Sequence, residues 1–241
     1  MTSTDLEDQM YKGPHDEPPS YSTIAPCAPP ATYTSGLPVL SGQMNWVPPG
    51  LENLTQLNQL TVREKFSVSQ GWARTFDVLD PVGLRLFQAK QEYRCCGPMY
   101  NVKISDNSDR EMIEVIQECS CTCTQQAQVY GLSRNLLGSV RLHMNSFVTH
   151  LSLLNPVNEV LLLIIGPSFQ TNIFGNVTFE VKSRDEQHVV GMIRNESEQL
   201  SVSFPLDLDV TVKALLLGGS FFLEFLINQR RRQMRNRRNS H

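Results

Sequence analysis

The side chains best suited to covalent or metal chemistry are six cysteines: Cys27, Cys95, Cys96, Cys119, Cys121 and Cys123. The last three alternate along Cys-Ser-Cys-Thr-Cys. On a strand they would share one face, and in a loop they would form an exposed thiol cluster. Together with Cys95-Cys96 they could offer soft metal ligands, but zinc sites favour Cys-x₂₋₄-Cys spacing, which is absent. No charged-then-apolar leader begins the sequence, so the expectation is free thiols in a reducing compartment. Five histidines (His15, His143, His150, His188 and His241) fall into no arrangement with a nucleophile or carboxylate. There is no Gly-rich phosphate loop, no HExxH and no Gly-x-Ser-x-Gly. These residues point away from bond-breaking catalysis.

The two ends carry a different kind of chemistry. Residues 1–45 are rich in Pro, Ser, Thr and Tyr, a composition that predicts disorder. Within them Pro18-Pro19-Ser20-Tyr21 reads PPxY, which suits a polyproline-II segment docking into an aromatic-lined WW-domain groove. At the other end Arg230, Arg231, Arg232, Arg235, Arg237 and Arg238 follow an apolar segment without an intervening acid. That pattern reads as an anionic-lipid patch. Nuclear import and nucleic-acid contact compete for the same residues, with no strong nucleic-acid signal elsewhere.

Between these ends the pattern is β. Runs such as TFDVLD, GLRLFQA, YNVKISD, SVRLHM, THLSLLN, EVLLLII, VTFEVKS and HVVGMI alternate between Phe66 and Phe204, separated by turn residues. Ahead of them, Leu51, Leu54, Leu57 and Leu60 are spaced by three, which predicts a helical turn or two. Residues 76–89 resemble 151–164, with Leu79-Asp80-Pro81-Val82 answering Leu154-Asn155-Pro156-Val157, and 102–116 parallel 179–193. Two offsets of nearly equal length, 75 and 77 residues, favour two copies of one meandering sheet. Such halves could close into a barrel of about a dozen strands, which removes exposed edges. Its lumen would be too wide for its own side chains to fill. The one stretch able to fill it is Val210–Asn228, VTVKALLLGGSFFLEFLIN, predicted as a helix that is apolar nearly all round.

Four segments resemble the phospholipid scramblase family: WVPPGLENLTQLNQL, the CCGP at Cys95–Pro98, NVTFEVKSRDEQHVVGMI, and FPLDLDVTVKALLLGGSFFLEF at 204–225. The family is similar to tubby-like proteins. The resemblance implies an all-β fold with a central helix, a closed tubby-like barrel of about twelve antiparallel strands around a hydrophobic C-terminal helix, over residues 46–228. It also implies calcium-stimulated, energy-independent movement of phospholipids between leaflets, and palmitoylation at the cytoplasmic face of the plasma membrane, with a cytoplasmic or nuclear pool. The family's calcium loop falls on Glu196–Asp207. Glu196, Glu198 and Asp207 are its candidate ligands, but Leu200 offers no side-chain oxygen, Ser201 replaces the turn glycine, and Leu200, Val202 and Phe204 alternate as a strand would. For acylation the candidates are Cys119, Cys121 and Cys123, since two or more acyl chains anchor stably where one is marginal. Inert buried thiols are the rival reading.

Two functional classes follow. One is a membrane-associated phospholipid scramblase. The other is an acyl-anchored cytoplasmic adaptor or lipid-binding module of the same fold, without transport. The apolar stretch separates them. At nineteen residues it spans about 28 Å, near the thickness of a bilayer core. However, Ala214–Leu223, its uncharged part, covers only about 15 Å. Lys213 and Glu224 would each cost roughly 2.5–3.5 kcal/mol in hydrocarbon. A core helix is therefore expected, with Gly218-Gly219-Ser220 at its most crowded point and Lys213 and Glu224 towards the open ends of the lumen.

Overall fold

The computed structural model describes residues 47–65, 74–92, 99–118, 125–143, 148–168, 175–196 and 199–238. The chain divides into Met1–Met44, wholly outside the described residues, and Asn45–His241. Among the described residues a 3-10 turn at Glu52–Leu54 is followed by twelve strands, with a second 3-10 turn at Leu132–Arg134, and then by one α-helix. The strands are β1 (Gln59–Lys65), β2 (Arg74–Leu79), β3 (Arg85–Glu92), β4 (Tyr100–Ser105), β5 (Glu111–Gln117) and β6 (Gln126–Tyr130). They continue with β7 (Leu136–Leu142), β8 (Thr149–Leu154), β9 (Val160–Gly166), β10 (Val177–Ser183), β11 (Val189–Glu196) and β12 (Gln199–Ser203), and the helix α1 is Val210–Arg238. Every strand pairs antiparallel with its sequence neighbours. The barrel closes where β1 meets β12, from Gln59 opposite Ser203 to Arg63 opposite Gln199.

One rim of the barrel is built from a repeated turn. In the β2–β3, β4–β5, β6–β7 and β8–β9 connections, the first turn residue donates to the carbonyl four residues on and accepts from the N–H three residues on. The residue in that third position is left-handed: Gly83 (φ 87°), Asp109 (60°), Arg134 (59°) and Asn158 (63°). The β10–β11 connection is one residue longer and places Glu186 there (φ 61°). This is the three-residue hairpin with a bulge, whose twist matches that of the flanking strands. The Asp or Asn of the Leu-[Asp/Asn]-Pro-Val signature sets it up. Asp80 Oδ1 accepts from the N–H of Val82 (3.0 Å) and Leu84 (2.8 Å), as Asn155 Oδ1 does from Val157 (3.1 Å) and Glu159 (2.8 Å). Asp106 does the same at 2.8 and 3.0 Å.

The alternate residues of each strand turn inward onto α1. Phe76, Val78, Phe87, Val102, Val129 and Ile164 are among them, all buried. On the helix, Ala214–Leu217, Phe221–Leu223, Leu226 and Ile227 are buried in turn. The helix starts on an N-cap: Asp209 Oδ1 accepts from the N–H of Thr211 (2.8 Å) and Val212 (3.1 Å). Two glycines let the barrel wall close on it. A Cβ at Gly218 would stand 2.9 Å from Val129 Cγ2, and one at Gly219 would stand 2.9 Å from Leu153 Cδ2.

The structure corrects three sequence expectations. The helical turn expected ahead of the strands is present at Glu52–Leu54, but it is shorter than the leucine spacing suggested: the sheet begins at Gln59, so Leu60 already lies on a strand. The helix does not stop at Asn228 but runs to Arg238, because Arg, Gln and Met are good helix formers with no breaker among them. Cations at a C-terminus also suit the helix dipole. Lys213 and Glu224 lie near the two ends of the lumen as expected, yet Lys213 is fully buried and the Glu224 side chain is only 15% exposed.

Substituting Gly218→Leu forces a whole side chain into contact with Val115 and Val129, and overpacking of this kind costs about 1–3 kcal/mol or more. The variant is expected to lower the urea midpoint of the barrel clearly, whereas an unshifted midpoint would mean that α1 is not gripped at this point.

Candidate functional site: the mouth where the helix leaves the barrel

The two ends of the lumen are sealed by polar groups; the turn rim carries a concavity of about 320 Å³ lined by Pro48, Pro49, Leu51, Leu132, Ser133 and Leu137, without a charged side chain, and the cationic surface lies at the opposite end. At the turn rim, Lys213 Nζ lies within hydrogen-bond distance of four backbone carbonyls: Leu54 (3.1 Å), Thr55 (3.1 Å), Leu57 (2.9 Å) and Leu206 (2.7 Å). The same ammonium sits 5.5 Å from the centre of the Phe204 ring. Burial pushes Lys213 below its ordinary range while Asp207 and Asp209 hold it up. This cage ties the segment before β1 to the start of α1 and leaves no vacancy for a ligand.

At the opposite rim α1 leaves the barrel beside Arg74, the first residue of β2. Arg74 donates to Glu64 (2.7 and 2.6 Å) and to Glu224 (3.1 and 2.6 Å), a fork engaged on both sides. Burial would push Arg74 down, but the two carboxylates raise it further above its usual range. Burial raises Glu224, against the pull of Arg74, and Asn228 also donates to it. Tyr100 Oη donates to the Phe221 carbonyl (2.9 Å), and its ring lies 4.4 Å from that of Phe225.

Two concavities flank the emerging helix. A small one of about 70 Å³ includes Glu64, Arg74, Asn195, Glu196, Glu224 and Arg231 in its lining. A larger groove of about 290 Å³ is lined by Met99, Phe225, Asn228, Gln229, Arg232, Gln233 and Asn236 with Arg74. The helix beyond it carries Arg230 through Arg237 as one continuous α-helical stretch. The chemistry on offer at this end is cationic and amphiphilic.

The remaining expected sites fall as follows. Glu196 ends β11 and Asp207 lies beyond the far end of β12, so a whole paired strand separates these two candidate calcium ligands; Glu198 lies outside the described residues. Cys119, Cys121 and Cys123, the other three cysteines, and Pro18, Pro19 and Tyr21 also lie outside them. Among the described residues no group of three or more His, Cys, Asp or Glu could hold a metal ion. His143 and His150 stack at 4.4 Å, and His143 Nε2 is 2.7 Å from Ser152 Oγ. Sequence reading missed Arg74 altogether. Its one signal was an arginine at a position that alternates inward with Phe76 and Val78.

Removing the Lys213 ammonium strands several carbonyls that a charged donor satisfies, at about 1.5–3 kcal/mol per such bond. Lys213→Met is therefore expected to cost about 3 kcal/mol or more by chemical denaturation; a loss under about 1 kcal/mol would show the cage to be dispensable. Burial, then His150 and Arg141, lower the His143 pKa from its ordinary 6.5. The unfolded chain then binds that proton more readily, so stability declines as pH falls through about 6.5. His143→Gln should flatten the difference between urea midpoints at pH 7 and pH 5; an unchanged difference would exclude His143 as the cause.

Comparison with known proteins places these features in a family. The chain matches the family model described as Scramblase over residues 38–230. It is 28% identical over 208 residues to phospholipid scramblase 2 of Bos taurus, an overlap of 74% of this chain and 71% of that protein. It is 28% identical over 222 residues to phospholipid scramblase family member 5 of Homo sapiens, covering 80% of each chain. Phospholipid scramblase 1 of Homo sapiens is 27% identical over 208 residues, which cover 74% of this chain and 65% of that protein. The matched span holds all twelve strands and the buried part of α1, and on that match the chain belongs to the scramblase family.

Proposed function

We propose that this barrel mediates the movement of phospholipids between bilayer leaflets, bidirectionally and without an energy source. The observation that carries the reading is the family match across the entire barrel and its core helix. The supporting geometry is the pole of the barrel from which α1 emerges. Five arginines, Arg230, Arg231, Arg232, Arg235 and Arg237, continue on that helix, with Arg238 as its last residue. Near an anionic leaflet each arginine is worth about 1 kcal/mol. This pole docks on the cytoplasmic face of the plasma membrane, and acylation at Cys119, Cys121 and Cys123 supplies the second attachment signal that stable anchoring needs. Pro18, Pro19 and Tyr21 add a docking segment for WW-domain proteins. Calcium stimulation belongs to the same reading by resemblance, although residues 196–207 contain a paired strand and would not wrap an ion as one loop.

One observation favours the adaptor reading instead. The helix long and apolar enough to cross a membrane has most of its apolar window buried inside the barrel, so it offers no lipid path of its own. The two readings part in a reconstitution experiment. Proteoliposomes carrying a fluorescent phospholipid are treated with dithionite, with and without calcium. Bleaching that goes beyond the outer-leaflet share, and that weakens when the six arginines become glutamines, is the expected result. Bleaching confined to the outer leaflet in both conditions, with membrane binding intact, would replace transport by the adaptor.

A further inference from the structure

The groove beside the helix exit has a polarity that follows from helix geometry. Gln229, Arg232, Gln233 and Asn236 follow Phe225 by four, seven, eight and eleven positions, and so share one face of α1 with it. This face changes character along its length. At the barrel rim it is apolar, with half-buried Phe225 next to Met99, which is 51% exposed. Seven residues on, roughly 10 Å along the axis, it is cationic and amide-bearing at Arg232, Gln233 and Asn236. Arg74, at the base of the groove, is committed to Glu64 and Glu224. Arg232 is different: it is exposed, and among the described residues it has no carboxylate partner. A single exposed methionine means little on its own. An exposed, adaptable methionine and an aromatic ring leading to an uncompensated guanidinium are complementary to one class of molecule.

We propose that this groove is a binding site for a single anionic phospholipid, with the phosphate at Arg232 and the first acyl methylenes on Met99 and Phe225. The proposal rests on the phospholipid reading above and deepens it. It assigns a discrete site, with a headgroup preference, where that reading needs only a cationic surface. Arginine suits the role because its fork can bond two phosphate oxygens at once. Methionine suits the other end because its flexible thioether adapts to irregular apolar shapes. The bound lipid lies along the outgoing helix with its phosphate away from the barrel.

The test uses the full chain labelled at methionine methyls, with the Met99 signal assigned by its loss in Met99→Leu. Dihexanoyl phosphatidic acid is titrated below its micelle-forming concentration, alongside dihexanoyl phosphatidylcholine and glycerol 3-phosphate. Expected is a saturable Met99 shift with phosphatidic acid, weaker with phosphatidylcholine. Arg232→Glu should weaken binding about tenfold or more, as the loss of charge-assisted bonds implies. Arg237→Glu, the same charge change away from the groove, should cost less than about threefold. Equal losses in the two variants would reduce the site to diffuse surface charge and overturn the proposal. Glycerol 3-phosphate binding as tightly as the lipid would overturn it too, leaving a phosphate site without an acyl subsite. A silent Met99 in a protein that scrambles sinks the groove alone, whereas a responsive Met99 in a protein that does not scramble leaves the groove standing and removes the transport reading.

Discussion

Everything in this molecule depends on filling a lumen. Twelve antiparallel strands closed on themselves leave no edge to attract another chain. The same closure creates an interior wider than inward-pointing valines and leucines can fill. Helix α1 resolves the conflict by putting an apolar cylinder along the axis, and the wall and the helix become one close-packed core. The fit is tight enough that two successive helical positions carry no side chain at all. Gly218 and Gly219 give up roughly 1 kcal/mol each in helix propensity relative to alanine, and in exchange Val129 and Leu153 pack against the helix backbone.

Two polar anchors fix how far the helix is pushed through. Lys213 is held among four carbonyls at one end, and Glu224 is held by Arg74 at the other. The anchors are eleven residues apart, about 16 Å along the axis, and a slide by one turn would break both and draw one of the two charges into the apolar lumen. Breaking a buried, hydrogen-bonded charge pair typically costs about 3–5 kcal/mol. A helix with enough length and hydropathy for a bilayer is thereby committed to the barrel. What the anchors push out past the rim is the arginine-bearing end of α1 and the groove beneath it.

Much of this was legible in the chain, for identifiable reasons. The strands from β2 to β11 mostly announce themselves by alternation, and the Asp80 and Asn155 turns by a residue type that bonds its own backbone two and four positions on. The recurrence of that turn in other hairpins also limits what it says about duplication, since it belongs to a whole rim and not to two matched halves. The expected core helix followed from the mismatch between the apolar run and its flanking charges. Other features were hidden by the limits of local pattern. Ahead of β1, Leu54, Leu57 and Leu60 keep one helical spacing although Leu54 is on the 3-10 turn and Leu60 is already on the strand. In β6, Gln126, Gln128 and Tyr130 alternate with only two small apolar residues, Ala127 and Val129. Neither Arg74 nor the Lys213 cage could be read locally, because Glu224 lies 150 residues from Arg74 and three of the four carbonyls around Lys213 lie 156 to 159 residues from it.

The position of α1 in the sequence has a consequence for how the molecule is made. The chain is synthesised from its N-terminus, and the core helix appears only after all twelve strands. At about 5–20 residues per second, β1 waits on the order of ten seconds for the segment that will fill the barrel. During that time the hairpins can form one by one, but they have no shared interior to bury their apolar faces against, and β1 has no β12 to close with. Closure of the barrel therefore waits until α1 has been synthesised. A message cut short before Ala214 yields not a smaller barrel but a sheet without a core.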